Sequence, residues 1–259
     1  FFSFLPSMRR FDNRSSGGRF AKISANKRGC ALNRVDISKL NINFESPKWQ
    51  ERKEALDALQ QLLLQSPRLA DLPNYRELIG RLTKIMANDA NIFVAASATK
   101  CVMLFAKGLR AEFTPHVSLV VPVIFDKFKV EKRLLRDALV ECIDVIAAYT
   151  SFDHLSKALL EAMTSKQNPS QKSQTDLFIY RLFRSLPAKD VPKGLLKDLV
   201  AILSKHGFDA ASEVRDSSFA ALGAIMKCIG EKALGCFISP ELAKDANKMA
   251  KIALKRDTA

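Results

Sequence analysis

The feature that most constrains the fold of this chain is a helical apolar pattern that repeats about every forty residues. From Ile37 onward, apolar side chains recur at the spacing of amphipathic helices, as in the run Leu56, Leu59 and Leu63. The helices fall into successive two-helix units. Equivalent positions in these units lie 43, 43, 40 and 39 residues apart: Trp49, Ile92, Leu135, Thr175 and Val214.

This period is typical of HEAT and armadillo repeats and differs from the roughly 34 residues of a tetratricopeptide repeat. Two helices per unit, without a short third one, favour HEAT. Each helix pair has an apolar face that it cannot bury alone, so stacked pairs bury a continuous core and align their turns along one edge. We therefore predict an all-α HEAT-repeat solenoid of about five to six helix pairs, in which the helices beginning near Trp49, Ile92, Leu135, Thr175 and Val214 are the first of each pair.

The first part of the chain has a different composition. Residues 1–35 are rich in Arg, Ser and Gly and lack a sustained apolar period. Residues 1–46 hold nine Lys or Arg and three Asp or Glu, so they carry +6 of the net charge of +14. We predict a disordered basic segment or linker at 1–35 and the helical domain at 36–256. A gene-model artefact and an Arg/Ser-rich transit peptide are the alternatives.

Several function classes find little support in the sequence. The chain has no P-loop, no GxGxxG and no GxSxG motif. The five cysteines form no CxxC pair and the three histidines are isolated, so we expect neither a metal nor another cofactor. We find no apolar run near the roughly 18 residues that span a bilayer, and predict no membrane contact. A binding protein is therefore favoured over an enzyme.

The turn before the first helix of each unit is short, and four of the five carry Lys or Arg: SPKW at 46–49, NDANIF at 88–93, KVEKR at 129–133, SKQNPSQK at 165–172 and ASEVRD at 211–216. The only tryptophan of the chain, Trp49, lies in the first of them. A tryptophan at a helix start is more often a core residue than a contact. Trp49, however, begins its helix, where its side chain can project beyond the stack, and Pro47 presets the approach of the chain. Stacked in order, the five turns would form one ridge with an aromatic side chain at one end and cations along the rest. Such a ridge suits a flat acidic partner protein.

The turn sequences and the helices that follow them resemble a TOG domain of the minispindles/ch-TOG family of microtubule polymerases, most closely its second TOG domain. The resemblance covers about Val35 to Lys251 and passes through all five turns in order: KWQERKEAL, NDANIFVAASATKC with FAKGLRAEF, VPVIFDKFK, NPSQKSQTDLFI, and EVRDSSFAALG with GEKAL. One departure lies in the third turn, where Arg133 and Leu134 replace a Pro-Asn pair that is common in the family.

The resemblance implies a flat HEAT paddle whose turns bind the curved, free αβ-tubulin heterodimer, without catalysis. It implies a monomeric domain that supports microtubule plus-end growth and spindle assembly in the cytoplasmic cytoskeleton. By the match of motifs, Trp49 packs on β-tubulin and Arg215 reaches α-tubulin. The tubulin-binding residues that it implies are Trp49, Asn91, Ile92, Lys132, Lys172 and Arg215.

Two other binding functions are weighed against this one. A HEAT adaptor that grips a peptide along its concave face calls for acidic or Asn-rich ladders on the second helices, which the sequence does not show. A sequence pI of about 9.7 suggests nucleic-acid binding. The chain has only one Trp and three Tyr to stack on bases, and much of its excess charge lies before residue 47. We therefore expect no nucleic-acid partner.

Overall fold

The computed structural model describes residues 44–70, 72–165, 168–187, 191 and 193–259. The predicted basic segment 1–35 and the predicted domain start at residue 36 lie outside these ranges. Within them, the regular structure is helical, as predicted. The helices are α1 (Trp49–Gln65), α2 (Pro73–Asn88), α3 (Ile92–Leu109), a 3-10 helix (Arg110–His116), α4 (Val117–Lys127), α5 (Arg133–Tyr149), α6 (Phe152–Thr164), α7 (Pro169–Ser185), α8 (Lys193–His206), α9 (Ser212–Ile229), α10 (Glu231–Gly235), α11 (Pro240–Lys244) and α12 (Ala246–Thr258).

The helix pairs are formed across the short turns, which corrects the predicted phase of the repeat. Helix α2 packs on α3, α4 on α5, α6 on α7 and α8 on α9, whereas α1 and α2, or α5 and α6, barely touch. The helices that begin near Trp49, Ile92, Leu135, Thr175 and Val214 are therefore the second helices of their pairs. Apolar periodicity gives the length of a unit but not its starting point, because a helix can pair with either neighbour in sequence.

The pairs stack in two layers. One layer contains α1, α3, α5, α7, α9 and α12, each in contact with the next, and the other contains α2, α4, α6 and α8. The contact between α5 and α7 is sparse compared with that between α7 and α9. At this seam, Arg181 Nε donates a hydrogen bond to Asp144 Oδ2 at 2.7 Å. The ring of Phe125 on α4 meets that of Phe178 on α7 edge to face.

Polar residues in the turns fix where the next helix begins. Asn91 caps α3, because its side chain accepts a hydrogen bond from the backbone N–H of Phe93. Asn168 and Gln171 form a capping box at the start of α7, whose first residue is Pro169. Asp245 caps α12 in the same way, through the backbone N–H of Lys248. The turns are therefore held at fixed positions on the helix ends.

Helix α3 lies at the centre of the core, and this corrects the expectation that no apolar run approaches the length of a membrane span. The stretch Ile92–Lys127 is long and apolar enough to cross a membrane by length and composition. However, 67% of its most apolar 18-residue segment is buried inside the protein. The run also changes direction at Arg110, whose φ is 56°. Burial in the core of the protein accounts for its composition.

Two of the cysteines behave as small core residues. Cys101 and Cys142 are buried, and burial raises the pKa of both thiols well above the usual range. Cys228 is only partly buried and Cys236 is exposed, whereas Cys30 lies outside the described residues. In the part of the chain that the structure describes, no group of three or more His, Cys, Asp or Glu could hold a metal ion.

Candidate tubulin-binding edge

Five short turns lie at the N-terminal ends of successive helices of one layer, so the stack brings them together along one edge. We name them turn 1 (44–48), turn 2 (89–91), turn 3 (128–132), turn 4 (165 and 168, since 166 and 167 lie outside the described residues) and turn 5 (207–211). Hydrogen bonds and ion pairs join turn 1 to turn 2, turn 3 to the start of α7, and the start of α7 to turn 5. The predicted ridge of turns is therefore present among the described residues.

An exposed aromatic pair stands at the first end of this edge. Trp49 is 38% exposed and Phe93 is 51% exposed, and their rings stack with centroids 6.2 Å apart and an interplanar angle of 26°. The indole of Trp49 is therefore accessible to a partner and is not buried in the core. The sequence prediction did not include Phe93. The position of Phe93 could have indicated its exposure, because Phe93 lies just before the buried run that starts at Val94.

Asn91 and Ile92, the predicted contacts of turn 2, also stabilise the turn and the start of α3. Asn91 donates its backbone N–H to Asp89 Oδ1 at 2.8 Å and accepts from the N–H of Phe93 at 2.9 Å. Ile92 is half-buried and packs against the core. Of the apolar side chains at the start of α3, Phe93 therefore offers more surface to a partner than Ile92 does.

A half-buried ion pair clamps turn 1 to turn 2. Arg52 donates from Nε to Asp89 Oδ2 at 2.8 Å and from Nη2 to Asp89 Oδ1 at 2.9 Å. Its Nη1 donates to the carbonyl oxygen of Ser46 at 2.8 Å. The hydrogen bonds with Asp89 raise the pKa of Arg52. This bidentate pair, with side chains only 16% and 7% exposed, holds the aromatic pair on a fixed base.

Turn 3 places a lysine in solvent. Lys132 is exposed at the start of α5, and its ammonium has no hydrogen bond or ion pair with the residues that the structure describes. Its neighbours pair locally, Lys129 with Asp126 and Arg133 with Asp137. At the position where this chain departs from the family, Leu134 is 42% exposed. Lys132 is therefore available to a partner.

A second clamp, in the same register as the first, joins the start of α7 to turn 5. Lys172 Nζ lies 2.6 Å from Asp209 Oδ2, and Asp209 Oδ1 accepts from the backbone N–H of Ala211 at 3.0 Å. Arg215 Nη1 donates to the carbonyl oxygens of Asp209 and Ala210 at 2.8 and 2.7 Å. Arg52 makes the equivalent bonds in the first clamp: its Nη1 donates to the carbonyl oxygens of Ser46 and Pro47, which also lie six and five positions before it.

The two clamps change what can be expected of the predicted cations. Lys172 and Arg215 are half-buried and already bonded within the protein, whereas Lys132 is free to reach outward. The structure thus brings Trp49, Asn91, Ile92, Lys132, Lys172 and Arg215 to one edge. Their contact with tubulin stays a prediction.

The pair of Lys172 with Asp209 predicts a pH-dependent contribution to stability. Hydrogen bonding by Lys172 holds the pKa of Asp209 below its usual range. The pair therefore stabilises the fold above the unfolded-state pKa of about 3.9, and this contribution is lost as the pH falls through the lower folded-state value. We expect Asp209→Asn to lower the thermal midpoint of unfolding by about 2–4 °C at pH 7.

Thermal melts of wild type and Asp209→Asn at several pH values check this prediction. The difference between them is expected to shrink below about pH 4. Asp216→Asn is the matched control, since Asp216 is exposed on α9 and has no hydrogen bond or ion pair from its side chain to the described residues. A difference that stays constant with pH contradicts the proposed pair.

Comparison with known proteins decides the family. The sequence model of the family described as "XMAP215/Dis1/CLASP, TOG domain" matches residues 36–246. The chain is also 48% identical over 210 residues to Zygote defective protein 9 of Caenorhabditis elegans and 40% identical over 227 residues to Protein mini spindles of Drosophila melanogaster. The chain belongs to the XMAP215/Dis1/CLASP TOG-domain family.

The TOG domain covers only a small part of these relatives. The matches span 81% and 85% of this chain but 15% and 11% of the two relatives. Among solved structures, one from a study of microtubule plus-end tracking by XMAP215, CLIP-170 and EB1 superposes with a TM-score of 0.80 at 39% identity. It covers 88% of this chain and 95% of that one. The predicted TOG family and the HEAT-type helical fold are thus confirmed. The correspondence to a second TOG domain stays a prediction.

Proposed function

We propose that this TOG domain captures a free, curved αβ-tubulin heterodimer through turns 1 to 5, without catalysis and without a cofactor. The observation that carries the proposal is the exposed stack of Trp49 on Phe93 at one end of the edge, together with the exposed Lys132 in turn 3. An exposed aromatic pair on a rigid base costs free energy in the isolated protein unless a partner buries it. Aromatic and Arg side chains are also the residues that dominate binding energy at protein interfaces.

Charge gives the second support for an acidic partner. Residues 47–259 carry +8 of the net +14, and Lys132 stands exposed in the middle of the edge. Tubulin is acidic, so the field of the domain attracts it and orients it before contact. This field accelerates encounter, whereas the desolvated aromatic pair limits dissociation.

The place of this activity in a cell is part of the same proposal. A solved structure similar in fold, with a TM-score of 0.80, comes from work on tubulin recruitment and assembly by microtubule polymerases with TOG domain arrays. Relatives of this chain include the spindle pole body component alp14 and centrosomal protein 224. We place this domain in the cytoplasmic cytoskeleton, at microtubule plus ends, the spindle and the centrosome. A single domain binds one dimer, and linkage to further domains raises the effective concentration of tubulin at the growing end.

The direct test mixes the purified 259-residue chain with unpolymerised tubulin and separates the mixture by size-exclusion chromatography with light scattering. We expect a complex of one chain with one heterodimer. Separate elution of the two proteins, with no peak of the combined mass, overturns the proposal. The same column run of the chain alone gives its oligomeric state, for which we expect a monomer.

The salt dependence of binding provides a kinetic prediction. Because exposed charges are screened over about 10 Å at 0.1 M salt, we expect the association rate constant to fall roughly tenfold between about 0.05 and 0.5 M NaCl. The dissociation rate constant should change much less, since it depends on the buried aromatic contact. Stopped-flow or biolayer measurements separate the two. An association rate that is insensitive to salt contradicts electrostatic attraction.

A further inference from the structure

Turn 5 carries an exposed aromatic side chain that the proposed contacts do not include. Phe208 is 45% exposed, although its backbone is firmly placed. Its N–H donates to the carbonyl oxygen of Lys205 at 3.0 Å, and the N–H of Asp209 donates to that of His206 at 3.0 Å. A large apolar ring is therefore presented to solvent on a turn that cannot easily fold it away.

A lysine from the next helix of the layer holds this ring. Lys248 Nζ lies 4.1 Å from the ring centroid of Phe208 and 2.6 Å from Asp245 Oδ2. A cation over one ring face is a favourable arrangement, and it fixes the orientation of the ring. Phe208 and Lys248 thus lie together at the second end of the edge.

Each end of the edge therefore carries an exposed aromatic side chain. Trp49 and Phe93 lie at the α1 end and Phe208 lies at the α9 end. Neighbouring helices pack about 8–10 Å apart, so four steps along the layer separate the ends by roughly 30–40 Å. One small site on a partner cannot contact both ends, whereas two neighbouring subunits can.

We propose that Phe208 is a second apolar anchor, which packs on the tubulin subunit that Trp49 does not contact. The inference rests on the proposed function and adds to it one residue, Phe208. Lys248, whose ammonium lies over one face of the ring, adds a positive charge that suits an acidic surface. In this arrangement, turn 5 binds through the exposed ring of Phe208 as well as through Arg215, whose Nη1 is already used within the turn.

The test compares the affinities of three variants of the 259-residue chain for unpolymerised tubulin. Phe208→Ala is expected to raise Kd roughly tenfold or more, in the range of aromatic interface anchors. Leu254→Ala is the matched control, because Leu254 is 64% exposed but lies about 12 Å along α12 from its first turn, and it should leave Kd unchanged. Trp49→Ala provides the reference for the first anchor.

The outcomes separate the inference from the function on which it rests. If Trp49→Ala weakens binding while Phe208→Ala behaves like Leu254→Ala, the second anchor is wrong and the proposed function stands. If Trp49→Ala has no effect, the proposed use of the edge fails. A photo-crosslinking residue, p-benzoylphenylalanine, at position 208 gives a measurement that does not depend on the stability of the alanine variant. We expect it to label the subunit that the same residue at position 49 does not label. Labelling of the same subunit, or of neither, overturns the inference.

Discussion

Trp49→Ala is expected to weaken binding of unpolymerised tubulin by at least about 2 kcal/mol, roughly thirtyfold in Kd. The substitution removes the indole that stacks on Phe93 at 6.2 Å and so removes one of the two rings of the exposed aromatic pair. The fold should be unaffected, because the indole is 38% exposed and stands at the first residue of α1. Isothermal titration calorimetry or fluorescence anisotropy gives the affinity.

Leu64→Ala is the control for this experiment. Leu64 is 58% exposed on the same helix, but it lies 15 residues from Trp49 and therefore about 22 Å farther along the axis. Its truncation removes exposed apolar surface without touching the edge, and Kd should not change. Equal effects of the two substitutions contradict the placement of the binding surface at the turns.

Gly223→Ala is expected to cause the largest loss of stability among single-methyl substitutions in this domain. A Cβ at position 223 of α9 would lie 2.7 Å from the backbone nitrogen of Arg256 and 2.9 Å from the carbonyl oxygen of Ile252. Both atoms belong to the backbone of α12, so the last helix must move as a body. Overpacking of this kind costs about 1–3 kcal/mol, and we expect the thermal midpoint to fall by roughly 4–10 °C.

The same chemical change in α2 should have the opposite sign. A Cβ at Gly80 meets only Leu119 Cδ2 at 3.9 Å, which is ordinary van der Waals contact. Alanine is a better helix former than glycine by about 0.5–1 kcal/mol, so Gly80→Ala should raise the midpoint. Thermal unfolding followed by circular dichroism checks both. A midpoint for Gly223→Ala at or above that of wild type contradicts the close packing of α9 on α12.

The sequence predicted the period of the repeat and the exposure of Trp49 because both follow from local pattern. Apolar spacing marks the buried face of each helix, and a tryptophan at a helix start can project past the stack. The phase of the pairs was not predictable in this way. Which neighbour a helix packs on depends on the length and path of the connections, such as the three-residue turn before Ile92 and the seven-residue connection before Pro73.

The clamps depend on contacts between residues distant in sequence, and local pattern does not reveal these. Arg52 with Asp89 and Lys172 with Asp209 are each separated by 37 residues. In the sequence, Arg52 looks like any solvent-facing cation of an amphipathic helix. A search for opposite charges at this separation would have found both pairs. Phe208 was missed for another reason, since an aromatic residue near a helix end is usually counted with the core.

The internal bonding of the turns has a consequence for how this edge can select among shapes. Because Arg52, Lys172 and Arg215 hold the turns with hydrogen bonds inside the protein, most of the ordering of the loops is completed during folding. A surface so fixed cannot remodel itself around its target. A partner that adopts two curvatures will fit the edge in one of them and lose contacts in the other. A rigid edge therefore binds the two conformations of the partner with different affinities.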